Sequence, residues 1–270
     1  MKTGVSTASL FNRKNNEDAL PYLSELGVTV AEVFLTSFSE YGKEFGSLLA
    51  RRKGQVCVHS VHDLNTQFEP QLFAANERVK KDAYYWLGKV MEAGQELGAK
   101  HYTFHATARI KRAARSGAND DFNALCKGFQ EIFEFCGNYG LRLCLENVEW
   151  ATYNRVGVFE KLRSALPSLG GVLDIKQARI SGFDYLDYLK EMGENLTHAH
   201  VSDFDEQGKI RLPGKGKFDF DELVSRLQDV GFDGPLIIEV YKDDYFAPEE
   251  LKIAVDYLDE LLYKKGCLKK

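Results

Sequence analysis

Four strand-like segments in the second half of the chain end in side chains that can bind a metal ion. Residues 141–150 read LRLCLENVEW, and their apolar run stops at Glu146. The segments GGVLDI, LTHAHVSD and PLIIEVY bring Asp174, His200 and Glu239 to comparable positions. A carboxylate at the end of a buried strand is costly unless it is paired or holds a cation. The pattern therefore predicts one metal site built from these four side chains.

Three carboxylates and one imidazole form a mixed set of oxygen and nitrogen ligands. This set suits one divalent ion, Mn²⁺, Mg²⁺, Co²⁺ or Zn²⁺, and the carboxylate majority favours the harder ions. For three of these residues, a purely structural role is an alternative to binding a metal. Glu146 would serve in an ion pair, Asp174 as a helix cap or turn residue, and His200 as a buried core histidine. The shared position at strand ends favours the metal site.

The elements that must position these residues alternate between strand and helix along all 270 residues. The predicted strands cover residues 4–10, 28–35, 55–61, 101–105, 141–145, 171–174, 196–201 and 235–240. The predicted helices cover residues 17–26, 40–52, 72–97, 120–139, 158–166, 185–192, 220–230 and 248–262. Eight such units predict a single-domain (β/α)8 barrel over residues 1–270, an α/β fold whose chemistry lies at the C-terminal ends of the strands.

Composition narrows the classes of partner. Hydrophobic residues make up 44% and charged residues 28% of the chain, and the formal net charge is −5. An acidic balance counts against a nucleic-acid partner. No segment approaches the roughly 20 apolar residues of a membrane span. The five cysteines show no CxxC spacing, and the N-terminus lacks a secretory apolar core, so we expect a reduced, cytoplasmic protein.

The strand-end motifs resemble those of the xylose isomerase-like sugar isomerase and epimerase barrels. That superfamily includes ketose 3-epimerases, hydroxypyruvate isomerase-like and inosose dehydratase-like proteins and, more distantly, endonuclease IV. The resemblance covers essentially the whole chain and is carried by LEN at Glu146, LDI at Asp174, HVSD from His200, LPGKGKFDF at residues 212–220 and IIEVY at Glu239. It implies one divalent ion on the four predicted ligands, with Glu146 and Glu239 also acting as the catalytic acid/base pair.

The function implied by this resemblance is proton transfer beside the carbonyl of a small sugar, through a metal-stabilised enediolate. Bases on opposite faces of one carbon give epimerisation, and transfer between neighbouring carbons gives isomerisation. A lyase that dehydrates an inosose or similar keto-polyol starts with the same proton abstraction and stays an alternative. An endonuclease IV-like phosphodiesterase and a non-catalytic sugar-binding barrel are further alternatives.

One departure from the family pattern concerns the sixth strand, where members often carry a histidine three residues after the aspartate. This chain has Gln177 there. Glutamine can hydrogen-bond a hydroxyl group but cannot act as an acid, and the neighbouring Lys176 is a candidate source of charge. With no Asp-x-His after the seventh strand, the three-metal cluster of the endonuclease branch is incomplete. This favours a single ion.

The remaining predictions concern substrate contacts and loops. The predicted substrate-binding residues are His59, His105, Asn147, Gln177, Lys176 and Arg211. His59 and His105 are expected to end strands three and four. The loop at residues 212–220 is not a Walker A loop, because no Ser or Thr follows the lysine; it is either a phosphate-binding loop or a tight connection. The basic loop at residues 109–115 either contacts an anion or is simply solvated. The aromatic residues Tyr241 and Tyr245 are predicted to form either a lid over the substrate or a contact between subunits of a homo-oligomer.

Overall fold

The computed structural model describes residues 1–64, 67–107 and 118–268. The strands are β1 (Lys2–Ser6), β2 (Val30–Leu35), β3 (Cys57–Asp63), β4 (His101–Phe104), β5 (Arg142–Glu146), β6 (Gly170–Asp174), β7 (Leu196–Val201), β8 (Asp203–Phe204), β9 (Ile210–Arg211) and β10 (Pro235–Ile238). The helices are α1 (Asn16–Glu25), α2 (Lys43–Arg52), α3 (Glu77–Leu97), α4 (Ala118–Gly137), α5 (Val158–Ala165), α6 (Ile175–Ile180), α7 (Tyr185–Met192), α8 (Phe220–Asp229) and α9 (Glu250–Lys264).

Eight of these strands close into a parallel barrel in the order β1-β10-β7-β6-β5-β4-β3-β2. The predicted (β/α)8 architecture is confirmed. β8 and β9 form a separate antiparallel hairpin between β7 and α8. Sequence reasoning missed this hairpin and the short helix α6. It also extended the first strand too far, because residues 7–10 form a turn of 3-10 helix after Ser6.

The main apolar core lies between the barrel and its helices. Leu87 and Val90 of α3 are fully buried there, as are Leu223 and Leu227 of α8. Local signals set the limits of these helices. The Asn76 side chain accepts hydrogen bonds from two amides of the first turn of α3, and Gly98, with φ of +76°, ends it.

The inside of the barrel is polar at mid-height. Glu32, Ser60, Thr103 and His198 are all fully buried there, on four different strands. Most (β/α)8 barrels fill this space with layers of branched apolar side chains. A polar interior directly below the rim indicates that the upper half of this barrel supports a charged site. Within the residues that the structure describes, no helix is both long and apolar enough to cross a membrane.

Candidate metal and catalytic site

The structure brings the four predicted ligands together at the C-terminal rim. Glu146 ends β5, Asp174 ends β6, His200 lies next to the end of β7, and Glu239 follows β10. The Nδ1 atom of His200 lies 3.0 Å from Glu146 Oε1 and 3.5 Å from Glu239 Oε2. All four side chains are buried. His200 is therefore the centre of the group, with its Nδ1 atom directed at two carboxylates.

Charge and burial oppose each other throughout this cluster. Burial disfavours the protonated form of His200, but the carboxylates of Glu32, Glu239 and Glu146 outweigh it and raise its pKa well above the ordinary value. Burial likewise works against ionised Glu146, yet the charge of His200 and hydrogen bonds from His105 and His200 hold the pKa of Glu146 well below its usual range. At Asp174, nearby positive charge offsets less of the effect of burial. Burial raises its pKa to about 7 despite the nearby Lys176 ammonium.

The donor set fits a divalent cation. Glu146, Asp174 and His200 each bring a ligand atom within 4.8 Å of the others, and Glu32, His62 and Glu239 form a second group with the same spacing. Among the described residues, the buried Glu239 Oε2 atom has no hydrogen-bond partner. A carboxylate oxygen with a free lone pair, beside an imidazole nitrogen and further carboxylates, is the arrangement such an ion takes.

Glu32 is a residue of the candidate site that sequence reasoning missed. It is fully buried in the middle of β2, where Oε2 accepts hydrogen bonds from Ser60 Oγ at 2.8 Å and Thr103 Oγ1 at 2.6 Å. Its carboxylate also lies 2.9 Å from His200 Nε2 and 3.2 Å from His198 Nε2. The signal was a single acidic residue inside the apolar run VTVAEVFL. Although burial works against the charge, the His200 charge and the histidine hydrogen bonds hold the pKa of Glu32 well below its usual range.

His105 lies at the rim as predicted. Its Nε2 atom is 2.8 Å from Glu146 Oε2. The backbone amides of His105 and Ala106 both donate to Glu69 Oε2 at 3.1 Å, and Ala106 has a positive φ of 67°. Glu69 therefore fixes a strained turn at the exit of β4, and this turn aims His105 at Glu146. The His62 ring packs against the His105 ring, with the two centroids 4.6 Å apart.

His59 does not end a strand, contrary to the prediction, and it does not line the cavity at the rim. β3 continues to Asp63, so His59 is only its third residue and lies towards the N-terminal end of the barrel. The pairing of β2 with β3 passes from Val58 directly to Ser60, which marks a β-bulge at His59. Its ring stacks on His101 at 4.3 Å and contacts His198 at 5.0 Å. His59 is a histidine of the barrel floor.

Asn147 also has a different role from the predicted substrate contact. Its side-chain amide donates to the Asp174 carbonyl oxygen at 2.8 Å, and its Oδ1 atom accepts from the Asp174 amide at 2.8 Å. Asn147 is fully buried and does not line the cavity. It clamps the end of β6 to the end of β5, and it holds Asp174 beside Glu146.

Lys176 and Gln177 both reach the rim from α6. The Nζ atom of Lys176 lies 3.6 Å from Asp174 Oδ2 and 3.5 Å from Glu239 Oε1. Gln177 lines the cavity, and its Oε1 atom accepts from the Glu149 amide at 3.3 Å. Asp174 caps α6 by accepting from the Gln177 amide at 2.8 Å. The short helix that sequence reasoning overlooked therefore links these residues to the ligand set.

Arg211 and the residues of the glycine–lysine loop do not line the cavity. Arg211 forms an ion pair with Asp205 at 2.7 Å and does not line the cavity, so its position gives no support to the predicted substrate contact. The loop at residues 212–220 wraps around the buried carboxylate of Asp203, which accepts from the amides of Gly214 and Gly216, at 3.0 and 2.8 Å, and of Phe218. These amides already hold an anion from the chain itself, and this supports the tight-connection alternative over a phosphate site. The basic loop at residues 109–115 lies outside the described residues.

A cavity of about 130 Å³ opens above the ligands. Its lining residues are Ala8, Phe34, His62, Asp63, Leu64, His105, Glu146, Val148, Trp150, Gln177, Glu239 and Tyr241. Trp150 and Tyr241 are the exposed aromatic residues at its mouth. Tyr245 is buried and donates from its hydroxyl to the Ser9 carbonyl oxygen, so it forms neither a lid nor a subunit contact. The volume suits a small polyol better than a drug-sized molecule.

A parallel eight-stranded barrel with buried carboxylates and histidines at its C-terminal rim defines a class of α/β barrel. The family model described as "Xylose isomerase-like TIM barrel" matches residues 20–261. The chain belongs to this family, as the motifs had indicated.

Relatives and solved structures agree with this assignment. Fructoselysine 3-epimerase of Escherichia coli O157:H7 is 23% identical over 253 residues, covering 89% of this chain and 90% of the relative. An uncharacterised Mycobacterium bovis protein is 25% identical over 255 residues, covering 89% of each chain. D-psicose 3-epimerase from Clostridium cellulolyticum H10, solved with D-tagatose, matches with a TM-score of 0.78 and 16% identity over 97% of this chain and 99% of that chain. The IolI protein, solved with a zinc atom, matches with a TM-score of 0.77 and 15% identity over 98% and 99%.

Proposed function

We propose that this protein is a divalent-metal-dependent epimerase or isomerase of a small sugar or sugar derivative. The observation that carries the proposal is the meeting of Glu146 and Glu239 at one histidine nitrogen, 3.0 and 3.5 Å from His200 Nδ1, under a cavity that both glutamates line. The names of the relatives support a sugar substrate, since they include a fructoselysine 3-epimerase and a D-psicose 3-epimerase.

In this proposal Glu146, Asp174, His200 and Glu239 hold the metal ion. When bound, the ion supplies positive charge that stabilises the negative charge developing on the oxygens of the sugar during deprotonation. Zn²⁺, Mn²⁺, Co²⁺ and Mg²⁺ all fit the donor set, and the zinc atom of IolI supports an ion at this type of site.

The two glutamates are assigned different shares of the proton transfer. Glu239 lines the cavity and, with one carboxylate oxygen on the ion, would keep the other oxygen to take a proton from carbon. Both oxygens of Glu146 are already hydrogen-bonded, to His105 and to His200, which keeps this carboxylate ionised and oriented. Return of the abstracted proton by Glu239 to the neighbouring carbon gives isomerisation. Epimerisation needs a proton on the other face of the same carbon. Glu146 delivers it after taking one from its hydrogen-bond partner His105, and Glu239 then releases the abstracted proton to solvent while His105 takes one up.

Substrate contacts are assigned to the other polar groups of the rim. His105 and Gln177 line the cavity and can hydrogen-bond hydroxyl groups. The ammonium of Lys176 lies beside two residues that line the cavity, Glu239 and Tyr241. Trp150 and Tyr241 at the mouth offer aromatic faces to the carbon side of a sugar.

The experiment is solvent deuterium exchange into a panel of ketoses and ketose derivatives, followed by NMR in the presence of Mn²⁺, Co²⁺ or Zn²⁺. We expect about one tightly bound ion per chain and deuterium at the carbon beside the carbonyl. Replacement Glu239→Gln or Glu146→Gln should slow exchange by roughly 10²-fold or more, whereas Glu194→Gln, an exposed glutamate, should not. Loss of water from a keto-polyol would assign the lyase instead. Absence of both exchange and metal binding would refute the proposal.

A further inference from the structure

Two of the four proposed metal ligands already face a cation that belongs to the chain. The Nζ atom of Lys176 lies 3.6 Å from Asp174 Oδ2 and 3.5 Å from Glu239 Oε1. Its side chain is only 5% exposed. It also lies 4.6 Å from the centroid of the Tyr241 ring. The position follows from α6, which begins directly after β6 and returns the lysine side chain over the rim.

This ammonium group is held by charge and not by hydrogen bonds. Among the described residues, the buried Nζ atom has no hydrogen-bond partner. A buried ammonium group is costly unless it is paired and hydrogen-bonded. Lys176 is thus held by electrostatic attraction to the carboxylates of Asp174 and Glu239 and by a cation–π contact with the ring of Tyr241. Nothing in these contacts prevents it from leaving when another cation takes over the carboxylates.

We propose that Lys176 is a resident counter-ion that competes with the divalent metal for Asp174 and Glu239. It offsets part of the negative charge of the two carboxylates while the metal is absent, and it is displaced from them when the metal binds. Because the lysine must be displaced, its presence weakens metal affinity. The displaced ammonium would then be free to meet an oxygen of the substrate. This inference rests on the metal site of the proposed function.

The physical basis is that a divalent ion and an ammonium group cannot both be close partners of the same two carboxylates without repelling each other. At separations of a few ångströms in a buried site, that repulsion is strong. Each carboxylate already paired with an ammonium group also offers less attraction to an incoming ion. Removing the lysine charge while keeping its apolar stem should therefore tighten metal binding.

The test is the affinity for Mn²⁺ and Co²⁺, measured by isothermal titration calorimetry at fixed pH and ionic strength. We expect Lys176→Met to bind both ions at least tenfold more tightly than the wild type. The control Lys190→Met, which changes an exposed lysine of α7, should bind like the wild type. Equal or weaker binding by Lys176→Met would overturn the inference, since a lysine that does not compete, or that helps to organise the ligands, would give that result.

A second measurement does not depend on the folding of the methionine variant. In a crystal of the wild-type protein soaked in Mn²⁺, anomalous scattering locates the ion, and we expect Nζ to have moved away from both carboxylates. An ion bound by Asp174 and Glu239 with Nζ still 3.5–3.6 Å from them would overturn the competition. If neither ion binds to any variant, the proposed metal site itself fails together with this inference. If ions bind equally in wild type and variant, only the inference fails.

Discussion

Glu32 Oε1 lies 2.9 Å from His200 Nε2, on the opposite side of the imidazole from Glu146 and Glu239. The histidine thus lies between an inner carboxylate of β2 and the outer carboxylates of the rim. When Nδ1 binds an ion, the remaining ring proton lies on Nε2 and faces Glu32. Such a carboxylate behind a ligating histidine fixes its tautomer and orientation and makes it a better ligand. In the proposed metal site, this ring orientation makes Nδ1 the atom that would bind the ion.

The variant Glu32→Gln should lose metal affinity although Glu32 is not itself one of the proposed ligands. The amide keeps the shape and can still accept from Ser60 and Thr103, but it removes the charge that faces His200. We expect affinity for Co²⁺ to fall by roughly 10- to 100-fold, as measured by calorimetry. Glu25→Gln, at the exposed end of α1, is the matched control. Unchanged affinity in Glu32→Gln would show that the negative charge of Glu32 does not contribute to metal binding through His200.

Asn147→Ala tests whether the clamp between β5 and β6 holds Asp174 in place. The substitution removes two hydrogen bonds of 2.8 Å to the buried backbone of Asp174. We expect the free energy of unfolding, measured in urea, to fall by about 2–4 kcal/mol. Asn138→Ala, at an exposed position just after α4, should change it by no more than about 0.5 kcal/mol. Equal effects of the two substitutions would contradict the clamp.

The strand-end residues of the site could be predicted from sequence because the fold determines them directly. Once the chain is a parallel barrel, residues at the carboxyl ends of β5, β6, β7 and β10 must share one rim. Glu146, Asp174 and His200 needed no knowledge of tertiary contacts beyond that rule. The barrel itself was evident for a different reason, namely the eightfold alternation of strands and helices along the sequence.

The residues around the strand-end cluster could not be predicted by this rule, because their partners are distant in the sequence. Glu32 meets Ser60 and Thr103, which are 28 and 71 residues away, and inside an apolar run it looked like part of a plain strand. His59 was misplaced because nothing in its local sequence marks the β-bulge of β3. Asn147 was predicted to contact the substrate because it follows Glu146 in the sequence. That position does not reveal that both polar atoms of the Asn147 side chain are hydrogen-bonded to the backbone of Asp174.

Gly216→Ala tests the assignment of the glycine–lysine loop as a structural wrap around Asp203. An added Cβ atom at Gly216 would lie 2.3 Å from Asp203 Oδ1 and 2.3 Å from the Phe204 carbonyl oxygen. The loop must then shift and weaken its amide contacts with Asp203, and we expect a loss of about 1–3 kcal/mol in the free energy of unfolding. Gly137→Ala, where nothing lies within 4 Å of the added Cβ, is the control and should be neutral or slightly stabilising. A Gly216→Ala protein as stable as the wild type would count against a close wrap.

The histidines of the barrel floor should make stability depend on pH. Burial is the main cause that lowers the pKa of His59 to about 2 and of His101 to about 4, and His198 beside them adds to both effects, with Glu32 opposing the shift at His59. An unfolded histidine titrates near 6.5. Below that pH the unfolded chain takes up protons that the folded chain does not, so stability is complete above about pH 6.5 and is lost as the pH falls. His200, whose pKa is raised, acts in the opposite direction, so a comparison with a variant is needed. We expect urea unfolding between pH 7.0 and 5.5 to show a loss that is smaller in His59→Asn than in the wild type by up to about 1 kcal/mol; identical pH slopes would mean that His59 takes up a proton as readily in the folded protein as in the unfolded chain.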